Sequence, residues 1–216
     1  MPNKTALVTG ASDGIGAEFI QILASRGYDL ILVARNEDKL NQLAVKVGGQ
    51  FGVNCTVIVA DLSEPNAAQN LFQSIEEKGL DVDFLINNAG LLHNGFFTEL
   101  NLAEQERMIV VNVLALTTLT HLYANNMASK GGGHILNVAS LAGWMAIPNQ
   151  NVYAATRAYV LAFTQALSNE MVAACSGGKV TDLCPGYTAT KMTDQPEPDA
   201  SVHMPTSMVM EDREYG

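Results

Sequence analysis

The sequence predicts an α/β fold built on a doubly wound parallel sheet, and three observations carry that prediction. Short runs rich in Val, Ile and Leu alternate with helix-length amphipathic segments, the first run passes directly into a glycine-rich turn, and no repeat or linker interrupts the alternation before residue 185. Near-continuous apolar strands are what a parallel sheet covered on both faces requires. Right-handed crossovers then make an open sheet with helices on both sides the expected architecture.

Strands are expected at 5–9, 30–34, 56–60, 84–87, 134–138 and 179–183, separated by five helices. The first helix carries Ile15, Phe19, Ile22 and Leu23 on one face, and the third carries Ala67, Leu71 and Ile75. Pro65 stands near the start of that third helix, where a missing N–H costs nothing. Asn101 and Glu104 have the spacing of a capping box that opens the fourth helix. The helix after the fifth strand runs from Tyr153 to about Ala174. From Pro185 onward the chain holds four of its seven prolines and six acidic residues against two basic ones, which reads as loop.

Composition narrows the function classes. The 216 residues suit one domain with a full core, 48% of them are hydrophobic, and only 16% are charged. A net charge of −10 repels phosphate backbones and anionic lipid, so neither nucleic acid nor a membrane is expected as a partner. The start, Met1-Pro2-Asn3-Lys4, leads into a strand without a secretory apolar region, no apolar run of ~18 residues stands out, and a cytoplasmic location is expected. Cys55, Cys175 and Cys184 are odd in number and widely spaced, which fits free thiols and no metal site.

The turn Thr9-Gly10-Ala11-Ser12-Asp13-Gly14-Ile15-Gly16 joins the first strand to the first helix. Glycines there permit positive φ and let backbone approach a pyrophosphate, whose charge the helix N-terminus favours. Gly10-Ala11-Ser12-Asp13-Gly14 also spells the G-x-S-x-G nucleophile elbow of serine hydrolases. That rival needs strands ahead of the elbow and a suitable downstream histidine; only about five strand residues precede Ser12, and His93, His121, His134 and His203 have no such context.

With the motifs assembled, residues 4 to about 192 resemble the short-chain dehydrogenase/reductase family. The resemblance rests on Thr9-Gly10 with Gly14 and Gly16, on Asn87-Asn88-Ala89-Gly90, on Ser140 with Tyr153, and on Pro185-Gly186 followed by Thr190. It implies a Rossmann-type domain over 1–190, with a substrate-loop region over 191–216 that is short for the family and lacks its seventh strand. The sixth strand would then be an uncovered edge. It also implies hydride transfer between a nicotinamide dinucleotide and a carbonyl or alcohol, and a homodimer formed through apolar helices.

By resemblance the cofactor is held by Gly10, Ser12, Asp13, Gly14, Ile15 and Gly16, by Arg35, Asp61, Asn87, Ala89 and Gly90, by Tyr153 and Arg157, and by Pro185, Gly186, Thr188 and Thr190. An acidic residue at the end of the second strand would bind a ribose 2′-OH; Ala34-Arg35 offers room and a guanidinium to a 2′-phosphate instead. NADP(H) is therefore favoured over NAD(H), with Asp13 arguing mildly the other way. Asp61 serves almost as well as a cap for the loop before Pro65, and Asn87 has the alternative of stabilising the central sheet.

Asn112 is a poor helix-interior residue among Val110, Val111 and Val113, and once buried it needs hydrogen-bond partners. The resemblance places it in a proton relay; a purely structural bond is the alternative. Tyr153 is the implied acid/base and Ser140 the group that orients the substrate oxygen. A free tyrosine has a pKa of ~10 and needs a nearby cation to act at neutral pH. One helical turn on, the family's lysine is replaced by Arg157, which keeps the charge but is wider, planar and never deprotonates. Two outcomes remain open, an impaired reductase and a catalytically silent NADP-binding or assembly protein. Leu91, Leu92, Phe96, Phe97, Trp144, Met145, Ile147, Tyr187 and Met192 are expected to converge on a small apolar substrate.

Overall fold

The computed structural model describes residues 3–173 and 177–188, with 187–188 and the further pair 209–210 described by backbone alone. Six strands, β1 (Thr5–Thr9), β2 (Asp29–Ala34), β3 (Cys55–Val59), β4 (Phe84–Asn87), β5 (Gly133–Val138) and β6 (Gly178–Leu183), form one parallel sheet in the order β3-β2-β1-β4-β5-β6. Helices α1 (Gly14–Ser25), α2 (Glu37–Phe51), α3 (Ala67–Glu77), α4 (Leu102–Ile109) continuing into α5 (Leu116–Ser129), and α6 (Asn151–Ala173) make the crossovers. Chain order reverses between β1 and β4, so a crevice opens at their carboxyl ends.

The strands are apolar on both faces because both are covered. Leu7, Ile31, Leu85 and Ile135 meet Leu71, Ile75, Leu119 and Tyr123 of α3 and α5 on one side. Ala6, Val8, Leu30, Leu32 and Ile86 meet Phe19, Ile20, Leu23 and Leu40 of α1 and α2 on the other. Each fully buried Leu or Ile contributes roughly 1.5–3 kcal/mol. Among the described residues β6 pairs only with β5, while a short β7 (Tyr187–Thr188) pairs parallel with β8 (Val209–Met210) in a separate sheet.

Four sequence expectations need adjustment. The buried face of α1 is Gly16, Phe19, Ile20, Leu23 and Ala24, so Ile20 replaces Ile22 at its centre. Asn101 does cap α4, but it accepts from Ala103 N at 2.9 Å, and the Glu104 carboxylate lies 3.8 Å from His93 Nδ1. Between α4 and α5, residues Val110–Ala115 form a π-helical segment. The continuous stretch Leu102–Ser129 is also long and apolar enough to cross a bilayer, yet here it packs Leu119, Tyr123 and Met127 into the core.

Candidate active site

Ligand-sized space follows the carboxyl edge of the sheet in two adjoining clefts of about 510 and 520 Å³. Gly10, Asp13, Arg35, Ala89, Gly90 and Leu91 line both. Ser12, Ala34, Asn36 and Asp61 belong to the first, beside β2 and β3. Gly14, Ile15, Ser140, Tyr153, Arg157, Pro185 and Gly186 belong to the second.

The glycine turn is shaped by close approach. Gly10 and Gly14 adopt φ of 68° and 55°, values that suit glycine. Gly16 is buried under the turn and lines neither cleft, because a Cβ there would overlap Gly10 O. It lets α1 pack against the loop. Asn88, which the motif reading passed over, fixes this arrangement: its Nδ2 donates to Thr9 O at 3.0 Å and to Gly10 O at 3.2 Å. Thr9 Oγ1 accepts from Asn88 N and Ala89 N in return. The signal was present in the paired asparagines, but only the first was weighed.

Asn87 turns inward. It is buried and outside both clefts, and its Nδ2 donates to Thr120 Oγ1 at 3.0 Å and Asn137 Oδ1 at 2.9 Å. Its side chain therefore ties β4 to β5 and α5, the alternative that the sequence also offered for it. Asp61 lines the first cleft with its carboxylate already engaged by Ser63 N, Ser63 Oγ, Arg107 Nη2 at 2.9 Å and Arg35 Nη1 at 3.8 Å. Burial pushes its pKa up, but the Ser63 bonds and the charges of Arg35 and Arg107 outweigh that and hold it below the usual carboxylate value.

Asn112 sits in the π-helical segment with no exposed surface. It accepts from Leu91 N at 2.8 Å and donates to Leu91 O at 2.9 Å and Thr156 Oγ1 at 3.0 Å. It lines neither cleft and acts on the site by pinning the backbone beside Gly90. Thr156 in turn donates to Tyr153 O at 2.7 Å, which links that pin to the start of α6.

Ser140 caps a short 3₁₀ turn over Leu141–Trp144, its Oγ accepting from Ala142 N at 3.1 Å and so retaining its own proton. The same loop is anchored where Leu141 N donates to Pro185 O at 3.0 Å. Tyr153 is buried in a cluster with Leu92, Met108 and Ala142 while still lining the second cleft. Arg157 is only 3% exposed: its guanidinium carbon lies 5.0 Å from the Tyr153 ring centroid, Nη1 donates to Val138 O at 3.0 Å, and Nε has no hydrogen-bond partner among the described residues.

The expected apolar convergence is partial. Leu91 and Leu92 line the second cleft and Ile147 packs beside them, but Phe96, Phe97, Trp144 and Met145 are exposed and line neither cleft. Thr190 and Met192 lie outside the described residues, as do the side chains of Tyr187 and Thr188.

The fold has relatives among known proteins. The family model for short chain dehydrogenases matches residues 4–201. A short-chain dehydrogenase from Sphingobium yanoikuyae, solved in complex with NADPH, superposes with a TM-score of 0.88 at 34% identity over 98% of this chain and 80% of its own. The bulky-bulky ketone specific alcohol dehydrogenase of Comamonas testosteroni gives 0.85 at 31% identity over 99% and 80%. A very-long-chain 3-oxoacyl-CoA reductase of Anas platyrhynchos is 33% identical over 91% of this chain, which spans 66% of that protein's length. The chain belongs to the short-chain dehydrogenase family of NAD(P)-dependent oxidoreductases.

Proposed function

We propose that the protein is an NADP(H)-dependent reductase or dehydrogenase acting on an apolar carbonyl or alcohol, with Tyr153 as acid/base. The observation that carries this reading is that Ser140, Tyr153 and Arg157 line the same cleft as Gly10, Gly14 and Ala89. The dinucleotide fits the residues present: the turn leaves no room for a Cβ at Gly10 or Gly16, and the first cleft ends on Ala34 and Arg35 with no acid at 34 to bind a ribose 2′-OH. The NADPH complex of the Sphingobium relative supports the same preference. Gly10, Ser12, Gly14 and Ile15 would hold the diphosphate, Arg35 the 2′-phosphate, and Ala89, Gly90, Pro185 and Gly186 the remainder. Thr188 and Thr190 complete that set by resemblance.

Bound cofactor supplies or accepts the hydride. The chain's own task is to manage the substrate oxygen. Ser140 Oγ, satisfied as an acceptor by Ala142 N, is left to donate to that oxygen. Tyr153 exchanges the proton at the same atom, a role generally worth about 10²- to 10⁴-fold. Arg157 keeps a positive charge beside the ring while Val138 O fixes the guanidinium. Leu91 and Leu92 give the cleft an apolar wall, which supports an apolar substrate. Ile109 and Leu114 along the fourth crossover and Tyr159 and Val172 on α6 are exposed apolar positions that support a homodimer.

A second reading, a silent nucleotide-binding protein, is favoured by Arg157 itself. Its guanidinium is committed to the ring face and to a backbone carbonyl, and it cannot pass a proton. Titration with NADPH and NADH, followed by ketone and aldehyde turnover for the wild type and Arg157→Lys, separates the two. Turnover by the wild type supports the reductase; turnover by Arg157→Lys alone supports the silent protein, and failure to bind either dinucleotide rejects both.

A further inference from the structure

The adenosine end of the cleft carries two carboxylates, Asp13 and Asp61, where a 2′-phosphate is to be accepted. Either one left uncompensated would repel that group. Asp61 is held by Ser63, Arg107 and Arg35. Asp13 is held by Lys39, whose Nζ donates to Oδ1 at 2.5 Å and Oδ2 at 2.7 Å across a sequence separation of 26 residues. Lys39 does not line the cleft. It stands in the first turn of α2, where its backbone N–H donates to the capping Asn36 Oδ1 at 3.0 Å, and it reaches back to the glycine turn. Ser12 Oγ also donates to Asp13 Oδ2, at 3.2 Å. Asp13 and Asp61 are thus matched by three cations, Lys39, Arg35 and Arg107, on a chain of net charge −10.

We infer that Lys39 is a specificity-determining residue: as the counterion of Asp13 it makes the glycine turn compatible with a 2′-phosphorylated dinucleotide. The inference rests on the NADP(H) reading of the cleft and deepens it. Arg35 is engaged by Asp61 at 3.8 Å, whereas the Asp13 carboxylate is bonded by Lys39. Lys39 acts on cofactor choice through Asp13, so its effect depends on Asp13 being present.

The test is equilibrium binding of NADPH and NADH, read by nucleotide fluorescence without substrate, on the full chain and on Lys39→Met, Asp13→Ser and the double variant. Lys39→Met is expected to weaken NADPH about tenfold while NADH changes less than about twofold, the size expected of one uncompensated charge in a partly solvated site. The fold-loss of NADPH affinity on Lys39→Met is expected to be much smaller in the Asp13→Ser background than in the wild type. An unchanged NADPH-to-NADH ratio in Lys39→Met overturns the inference. So does an equal fold-loss on Lys39→Met in the Asp13→Ser background, which would put Lys39 on the phosphate itself. A wild type that prefers NADH counts against the proposed cofactor preference, yet a further shift toward NADH in Lys39→Met still supports the role of Lys39. Thermal unfolding of each variant accompanies the titrations, and Lys39→Gln replaces Lys39→Met if the latter does not fold.

Discussion

Gly90 has no side chain where the Arg157 guanidinium passes, and a Cβ at that position would overlap Arg157 Nη2. The same would-be Cβ would also sit 3.4 Å from Asn112 Oδ1. Arginine at 157 is thus accommodated by a gap in the β4 loop, by Val138 O on β5 and by the face of Tyr153. Its Nε is left without a hydrogen-bond partner among the described residues.

Gly90→Ala is expected to destabilise the fold by about 1–3 kcal/mol, the usual range for overpacking, and to lower turnover. In an Arg157→Lys background the cost should shrink, since the shorter, unbranched ammonium vacates the contested space. Urea unfolding of the four chains in a double-mutant cycle checks this. A coupling energy below about 0.5 kcal/mol would show that the two residues do not compete.

Tyr153→Phe is expected to reduce kcat by roughly 10²- to 10⁴-fold while leaving the NADPH dissociation constant within about twofold. The ring stays in its cluster with Leu92, Met108 and Ala142, so the variant removes only the hydroxyl. Steady-state kinetics beside a nucleotide titration make the distinction, and a parallel loss of binding would argue that Tyr153 serves the cofactor and not the substrate oxygen.

Much of this site was legible because its chemistry is local. Strand ends fell within one residue of their expected places, since short Val/Ile/Leu runs that soon meet a polar residue, Gly or Pro leave little choice of boundary. The glycine turn, Ser140 and Tyr153 each follow directly from a strand or open a helix. What stayed hidden depends on partners distant in sequence. Nothing near Asp13 announces Lys39, and nothing near Asn87 announces Thr120 and Asn137. The π-helical segment was invisible because Val110–Ala115 continues an ordinary helical pattern. Phe96, Phe97 and Trp144 sit in loops, where no periodicity says which way a side chain points.

Asn88→Ala is expected to weaken both NADPH and NADH by about tenfold and to cost about 2 kcal/mol of stability, because two carbonyls of the turn, Thr9 O and Gly10 O, lose their side-chain donor. The two nucleotides should suffer equally, since the role proposed for the turn is to hold the diphosphate they share. A loss confined to NADPH would contradict that assignment.

His134 gives a pH signature. Burial and the charge of Lys179 lower its pKa from the ordinary 6.5, and the ring stacks on Phe84 with centroids 4.6 Å apart. The folded chain therefore binds this proton less readily than the unfolded one. Stability from the neutral ring is fully present above about 6.5 and falls as pH drops through the lower folded value. Because the site is partly solvated, the effect should be about 1–2 °C in Tm between pH 7.5 and 5.5. It should vanish from the wild-type minus His134→Phe difference if the ring does not titrate this way.

Asn112→Ala tests whether the π-helical segment serves the site or only the fold. The variant removes an acceptor from Leu91 N and donors from Leu91 O and Thr156 Oγ1, and leaves a void at a fully buried position. A loss of about 2–4 kcal/mol is expected from unmet hydrogen bonds together with the cavity. Asn112→Asp retains the acceptor for Leu91 N but presents no donor to Leu91 O. If Asn112 positions the cleft wall, both variants should lower kcat by more than they weaken nucleotide binding, because Leu91 and the Tyr153–Thr156 turn move while the glycine turn stays in place. Differential scanning fluorimetry with kinetics below each variant's transition separates the effects. Normal kcat in a destabilised but folded Asn112→Ala would confine the residue to a purely structural role.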